Sequence, residues 1–214
     1  MPLTNQEQKR YNRHIILHDI RIQGQEKIKE TSILVVGAGG LGSPILYYLT
    51  AAGVATTKLK QLNPFTRITP YFTRLSLDNA LEIISKYDIV MDATDNLHAR
   101  YLINDACVKL GKPFVYGSIC EFCGQVSVFN YQNGPTYRDL FEYNDEIENF
   151  SQPLGVIGAL PGIVGSLQAN EAIKIILEKT GVLSGKLLTI DILNNTYLTF
   201  AIRKKERREE SLFK

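Results

Sequence analysis

Gly37, Gly39 and Gly42 stand in the spacing G-x-G-x-x-G within Gly37-Ala38-Gly39-Gly40-Leu41-Gly42. Glycines so spaced act through the backbone. They let N–H groups close on a phosphate, while a following helix turns its positive end toward the anion. The spacing is informative only between a strand and a helix. That context is met: Ile33–Val36 is an apolar, β-rich run, Ser43–Ala52 suits a helix, and Gly53 is placed to stop it. Gly37 then makes the tight turn, Gly39 admits the phosphate, and Gly42 lets helix and strand pack closely. The plainer alternative is the same turn used for packing alone.

A second cluster, Asp92-Ala93-Thr94-Asp95-Asn96, follows the buried-type run Tyr87–Met91. A carboxylate at a strand end, opposite a phosphate turn, is the arrangement that holds a Mg²⁺–nucleotide. Asp92 and Asp95 read equally well as helix caps, since a helical run begins at Leu97. Arg100 falls one turn inside that helix, where its charge could meet either carboxylate. A dinucleotide site would add an acidic residue ~20 positions beyond the glycine turn. No Asp or Glu occurs between Glu30 and Asp78, so a nicotinamide oxidoreductase ranks last. Cys120-Glu121-Phe122-Cys123 has ligand spacing but offers two ligands where structural zinc takes four. His14, His18 and His98 have no supporting motif, and the Cys pair reads as two small buried or strand residues. Cys107 lies on a helix and reads as core.

The elements that would position these residues come in alternation. Glu7–Lys29 suits a short docking helix with Gly24 as a break before a second, and Arg10 and Arg13 flank Tyr11-Asn12 as a solvated face or a reaching arm. Thr56–Leu62 is ambiguous between helix and strand, and Arg67–Leu75 looks β-like with Pro70 at an edge. Asp78–Ser85 suits a short helix capped by Asp78. Leu97–Leu110 is helical, Phe114–Ile119 a core strand, and Gly124–Tyr131 a half-exposed antiparallel strand after which Asn133-Gly134-Pro135 turns. Thr136–Pro153 reads as a long crossing loop, and a helix started by Pro161-Gly162 runs to Lys179. Lys186–Leu193 and Thr196–Ile202 form a hairpin about Asn194-Asn195. The expectation is a single α/β domain over residues 1–214: a Rossmann-like mixed sheet, a helical arm over 1–30, C-terminal antiparallel strands, and a frayed tail over 203–214.

Composition agrees. The chain has 214 residues, 44% hydrophobic and 21% charged, enough for one sizeable core. A net charge of +2 supplies no broad field for nucleic acid or a membrane surface. The opening MPLTNQEQKR lacks a signal-peptide core, no run approaches the ~20 apolar residues of a membrane helix, and three cysteines make a disulfide framework a poor fit. A cytoplasmic protein is expected.

The runs RYNRHIIL, GQEKIKETSILVVGAGGLGSP, DATDNLHARYLINDACVKLGKPFVYGSI, GQVSVF and GALPGIVGSLQANEAIK together resemble the ThiF/MoeB/HesA family, the bacterial relatives of ubiquitin-activating enzymes. The resemblance covers nearly the whole chain. It implies a homodimer that uses ATP and Mg²⁺ to adenylate the C-terminal glycine of a ubiquitin-like sulfur carrier, for thiamine, molybdopterin or tRNA thiolation. By position, Gly37, Gly39, Gly40 and Gly42 match the family's phosphate turn. Asp95 matches its Mg²⁺-side carboxylate, with Asn96 beside it, and Arg13 matches the arginine contributed across the dimer.

The chain also departs from the family. After Val54 the strand ending in a ribose-binding Asp, the ATP-clamping loop and the helix with a phosphate-binding Lys are absent, and the sequence passes directly to KLKQLNP. Where zinc-binding members carry Cys-x-x-Cys, Thr136-Tyr137-Arg138-Asp139 stands, so zinc is not expected. Ser151 stands where many members keep a crossing-loop cysteine. The two readings are therefore an adenylyltransferase by descent, and an impaired remnant that binds a carrier or partner without productive ATP. Losing a strand would leave the sheet to close up or to expose an edge.

Overall fold

The structure, a computed structural model, describes residues 2–54, 62–66, 69–142, 155–205 and 211–213. Three helices open the chain: α1 (Asn5–Arg10), α2 (Asn12–Ile15) and α3 (Arg21–Glu30). Thr4 and Glu7 form a reciprocal capping box that fixes the start of α1. Gly24, expected to break the arm, lies within α3 and is buried. A Cβ there would stand 2.8 Å from Leu177 Cδ2, so this glycine serves close packing against the end of the last helix.

The sheet has six strands in the order of the chain: β1 (Ile33–Val36), β2 (Ile89–Asp92), β3 (Phe114–Cys120), β4 (Cys123–Phe129), β5 (Lys186–Asp191) and β6 (Thr196–Ala201). β1, β2 and β3 are parallel, and β4, β5 and β6 continue antiparallel, as the mixed-sheet expectation required. β1 pairs Ile33 with Ile89 through Val36 with Asp92, and among the described residues it has no neighbour on its other side.

One face of the sheet is covered by α4 (Gly42–Ala52) and α8 (Leu160–Ile176), whose Ile45, Leu49, Leu160 and Val164 bury against Met91, Val115 and Val126. The other face carries α5 (Ala80–Ser85), α6 (Leu97–Leu110) and α7 (Tyr137–Leu140). There Phe114, Tyr116, Phe129 and Tyr137 form an aromatic cluster with ring centroids 5.4–6.2 Å apart. Because both faces are covered, β4 is buried from Val126 to Phe129 rather than half-exposed.

Several local expectations change. Residues 69–75 form no strand, and α5 is entered through Asn79, whose Oδ1 accepts from Ser76 N at 2.9 Å, not through Asp78. The expected crossing loop begins as α7, set by a capping box between Thr136 and Asp139, while Arg138 makes a two-pronged ion pair with Asp105 at 2.8 Å. Residues 56–61, and the crossing segment with Ser151, lie outside the described residues. α8 stops at Ile176, short of Lys179. The tail expected to fray is held where it is described: Leu212 N donates to Asp105 Oδ2 at 2.7 Å, and Leu212 and Phe213 pack on the aromatic face. No described helix is long and apolar enough to cross a membrane.

Candidate functional site

The three parallel strands end at one rim of the sheet, which collects the glycine turn after β1, the segment 93–96 after β2 and the end of β3. In open α/β sheets this carboxyl rim is where ligands bind. Gly37 adopts φ 99°, and a Cβ there would meet Ala93 O at 2.5 Å; a Cβ at Gly42 would stand 2.1 Å from Gly37 O. These two glycines are demanded by close backbone packing, the roles in turn and helix–strand contact that the spacing gave them. Gly39 differs, because a Cβ there would meet nothing within 4 Å, and Gly37 to Gly40 are all exposed. Packing does not explain a glycine that borders open space. The space over Gly39 is open to an approaching group.

The helix behind the turn, α4, starts with Leu41 at its cap position and has no side-chain cap. In its first turn Ser43 N donates to Gly39 O at 3.0 Å, Pro44 carries no N–H, and Ser43 Oγ also donates to Gly39 O, at 2.8 Å. Above Gly40 lies Pro161, whose Cγ would sit 3.8 Å from an added Cβ, so the start of α8 walls one side of the turn.

The carboxylates divide cleanly. Asp92 is fully buried and accepts from Thr94 N at 2.8 Å, from Thr94 Oγ1 at 2.6 Å and from Arg100 Nε at 3.2 Å. Burial pushes this carboxyl above its ordinary value, although Arg100 and Thr94 pull it down. Burial alone would lower the Arg100 guanidinium, but Asp92, with Tyr116 and Tyr137, raises it. Arg100 also donates to Thr94 O at 3.1 Å and lies over the Tyr116 ring at 5.4 Å. This knot sets the path of residues 92–94 and uses up the cation that sequence spacing offered to either acid.

Asp95 is left exposed, with no hydrogen bond or ion pair among the described residues. It does not cap α6: Asn96 does, accepting from Ala99 N at 2.8 Å. Asn96 therefore has a structural duty in addition to its place at the rim. Among the described residues no three His, Cys, Asp or Glu side chains gather to hold a metal ion. A Mg²⁺ ion commonly takes one or two carboxylates and completes its shell with phosphate and water, a pattern that an exposed Asp95 at the same rim fits.

Arg13 is exposed on α2 and makes no bond to the turn or to Asp95. The arm that carries it is fixed by Tyr11, whose hydroxyl accepts from Asn63 Nδ2 at 2.7 Å and packs at Gly53. Sequence reasoning missed Gln168, a buried polar residue on the apolar face of α8. Its Nε2 donates to Asp92 O at 2.8 Å, and its side chain fills the space left by Gly117. A glutamine among apolar helical positions, opposite a glycine in a core strand, was the signal available.

Comparison with known proteins gives a family and a fold. The ThiF family model matches residues 11–59 and 54–211, in two pieces that meet where the sequence lacks its acidic residue. A "Probable molybdopterin-synthase adenylyltransferase" of Porphyra purpurea is 43% identical over 235 residues, covering 92% of this chain and 61% of that protein. That alignment is longer than the chain itself, so the relative carries residues with no counterpart here. An "Adenylyltransferase and sulfurtransferase MOCS3" of Culex quinquefasciatus is 42% identical over 95% of the chain and 55% of its own length. The chain thus spans less than two thirds of these relatives. A "Sulfur carrier protein adenylyltransferase" of Thermus thermophilus is 39% identical over 97% of the chain and 92% of that protein. Among solved structures, E. coli MccB with ATP superposes with a TM-score of 0.72 at 13% identity, over 85% of this chain and 67% of that one. At that identity the likeness concerns the fold.

Proposed function

Because the chain belongs to the ThiF family, we propose that it binds the triphosphate of ATP at Gly37, Gly39, Gly40 and Gly42 and adenylates the C-terminal glycine of a ubiquitin-like sulfur carrier ending in Gly-Gly. The observation that carries this reading is the open space over Gly39, beside an α4 N-terminus with no side-chain cap. The carrier's terminal carboxylate attacks the α-phosphorus, pyrophosphate leaves, and an acyl adenylate forms, so the protein needs no nucleophile of its own. Its task is to hold both substrates in line and to stabilise the charge that grows on phosphate. Asp95, exposed and without a partner among the described residues, is the carboxylate suited to Mg²⁺, which would screen the phosphate oxygens. Asn96 borders the same site. Arg13, exposed on an anchored arm and making no bond to its own turn, is suited to enter the site of a second copy, which would make the active unit a homodimer. The cytoplasm is the compartment that this chemistry and the three free cysteines fit.

A second reading is favoured by one observation: β1 has no outer neighbour among the described residues, and no acid occurs between Glu30 and Asp78. On that reading the chain is an impaired relative that keeps the phosphate floor and a partner-binding dimer without turnover. Carrier-dependent exchange of pyrophosphate into ATP separates the two. Exchange that disappears in Asp95→Ala supports adenylation. A flat trace at millimolar ATP from folded protein leaves the impaired relative.

A further inference from the structure

Cys120 and Cys123 are paired across the β3–β4 hairpin, with Glu121 and Phe122 forming the turn between them. Directly opposed residues of antiparallel strands point to the same face, with Cα atoms about 4.5–5.5 Å apart. That separation lies inside the window of about 4.4–6.8 Å that a disulfide spans. Gly117 and Gly124 face α8, as the neighbours of an added Cβ show, so both cysteines lie on the opposite face, in line with Tyr116 and Gln125. Both thiols are free; Cys123 is exposed and Cys120 half-buried. Cys107 offers the contrast: it is fully buried on α6, and burial pushes its thiol far up.

The turn between them is under tension and tied to the rim. Glu121 is held at φ 51°, a left-handed conformation uncommon for a residue with a Cβ. Its N–H donates to Gly155 O at 2.8 Å and its carbonyl accepts from Ile157 N at 3.0 Å, so it clasps the end of the crossing segment just before α8. Phe122 O accepts from Ile192 N at 3.0 Å and ties the same turn to the end of β5. From this clasp the chain passes within a few residues to Pro161, the wall of the glycine turn.

We propose that Cys120 and Cys123 form a reversible dithiol–disulfide site that sets how firmly the hairpin tip holds residues 155–157. The oxidant is a low-molecular-weight disulfide. The exposed Cys123 thiolate attacks one of its sulfurs and expels one thiolate, leaving a mixed disulfide. The Cys120 thiolate then attacks Cys123 Sγ and expels the second. Two S–H groups become one S–S bond, the protein loses two electrons and two protons, and one small disulfide becomes two small thiols. A thiol-based reductant reverses both steps. The proposal does not depend on ATP or a carrier, so it stands or falls apart from the function proposed above.

The test incubates the full chain with glutathione disulfide, counts thiols, maps alkylated peptides, and follows amide hydrogen exchange. The expected result is loss of two of the three thiols, a peptide in which Cys120 is joined to Cys123, and Cys107 left free. Cys120→Ser is expected to stop at a stable mixed disulfide on Cys123. Slower exchange of the Ile157 amide after oxidation, reversed by reductant, is expected from the clasp. Retention of all three thiols, mixed disulfides that never close in the wild type, or disulfide-linked dimers would each overturn the site. Unchanged exchange at Ile157 in fully oxidised protein would overturn its link to the crossing segment.

Discussion

Alanine at Gly42 and alanine at Gly39 should move stability in opposite directions, and only the second should move ATP binding without damage to the fold. At Gly42 the new Cβ would lie 2.1 Å from Gly37 O and 2.9 Å from Gly37 C, both backbone atoms, so the junction of β1 and α4 must open. Overpacking of this kind costs about 1–3 kcal/mol, and each kcal/mol is worth about 2–4 °C in Tm for a chain of this size, a fall of roughly 2–12 °C. At Gly39 the new Cβ meets nothing within 4 Å, and φ is not left-handed. Stiffening the unfolded chain there should stabilise by about 0.4–1 kcal/mol, raising Tm by roughly 1–4 °C. The same methyl would stand where backbone N–H groups meet phosphate. Losing one hydrogen bond to a charged oxygen is worth about 1.5–3 kcal/mol, or about 10-fold or more in Kd. Scanning calorimetry and titration with MgATP read both quantities. Gly39→Ala that melts no lower than wild type and binds ATP equally well would refute the turn as a phosphate site. Gly42→Ala that raises Tm would refute the packing geometry.

Three further substitutions test the rim. Asp95→Ala removes an exposed group without a partner among the described residues, so stability should stay within about 0.5 kcal/mol by chemical denaturation. Carrier-dependent pyrophosphate exchange should fall about 10²-fold or more if this carboxylate serves the developing phosphate charge. Arg100→Leu should destabilise the fold by about 3–5 kcal/mol, read by urea titration, because it strands the buried Asp92 carboxylate with Thr94 as its remaining donor. Asp92→Asn should reveal a pH dependence. Burial raises the folded value of Asp92 above its ordinary 3.8 despite Arg100, so the folded state keeps this proton after the unfolded chain has released it. Stability from this group is full below the ordinary value and is lost as pH rises through the folded one. The advantage of wild type over Asp92→Asn should therefore shrink across that window in urea titrations, and an advantage that grows would refute the assignment.

Elements bounded by local chemistry were legible from the residues. α6 runs over Leu97–Leu110 as the sequence implied, because Asn96 caps one end and Gly111, at φ 65°, closes the other. The strand, glycine turn and helix of residues 33–53 were equally plain, with Gly53 at φ 105° after α4. What local pattern could not give was the effect of a distant neighbour. Gly24 looks like a helix break until Leu177 arrives against it. The alternation of β4 suggests a wet face until the aromatic cluster covers it. At the site, spacing offered Arg100 to either of two acids. The choice of Asp92 depends on burial beneath Tyr116 and on Gln168 from a helix far along the chain, neither of which a local window contains.

On the proposed function, the block absent after Val54 would remove one part of the nucleotide site and spare another, for a reason visible in the sheet. β1 is packed on both faces, Ile33 and half-buried Val35 joining the core of α4 and α8 and Leu34 and half-buried Val36 that of α5 and α6, which holds it without an outer strand. Across the gap the chain is also tied to α4: Asn63 Nδ2 donates to Thr50 O at 2.8 Å and to the Tyr11 hydroxyl at 2.7 Å. The glycine turn needs only β1, β2 and α4, all of which remain, and its geometry is set by Gly37 and Gly42 against the neighbouring backbone. A ribose-binding acid, by contrast, would have to come from the end of the outer strand itself. On that reading phosphate binding and ribose recognition would be carried by separable pieces of this architecture. This chain keeps the piece that the fold requires for its own packing.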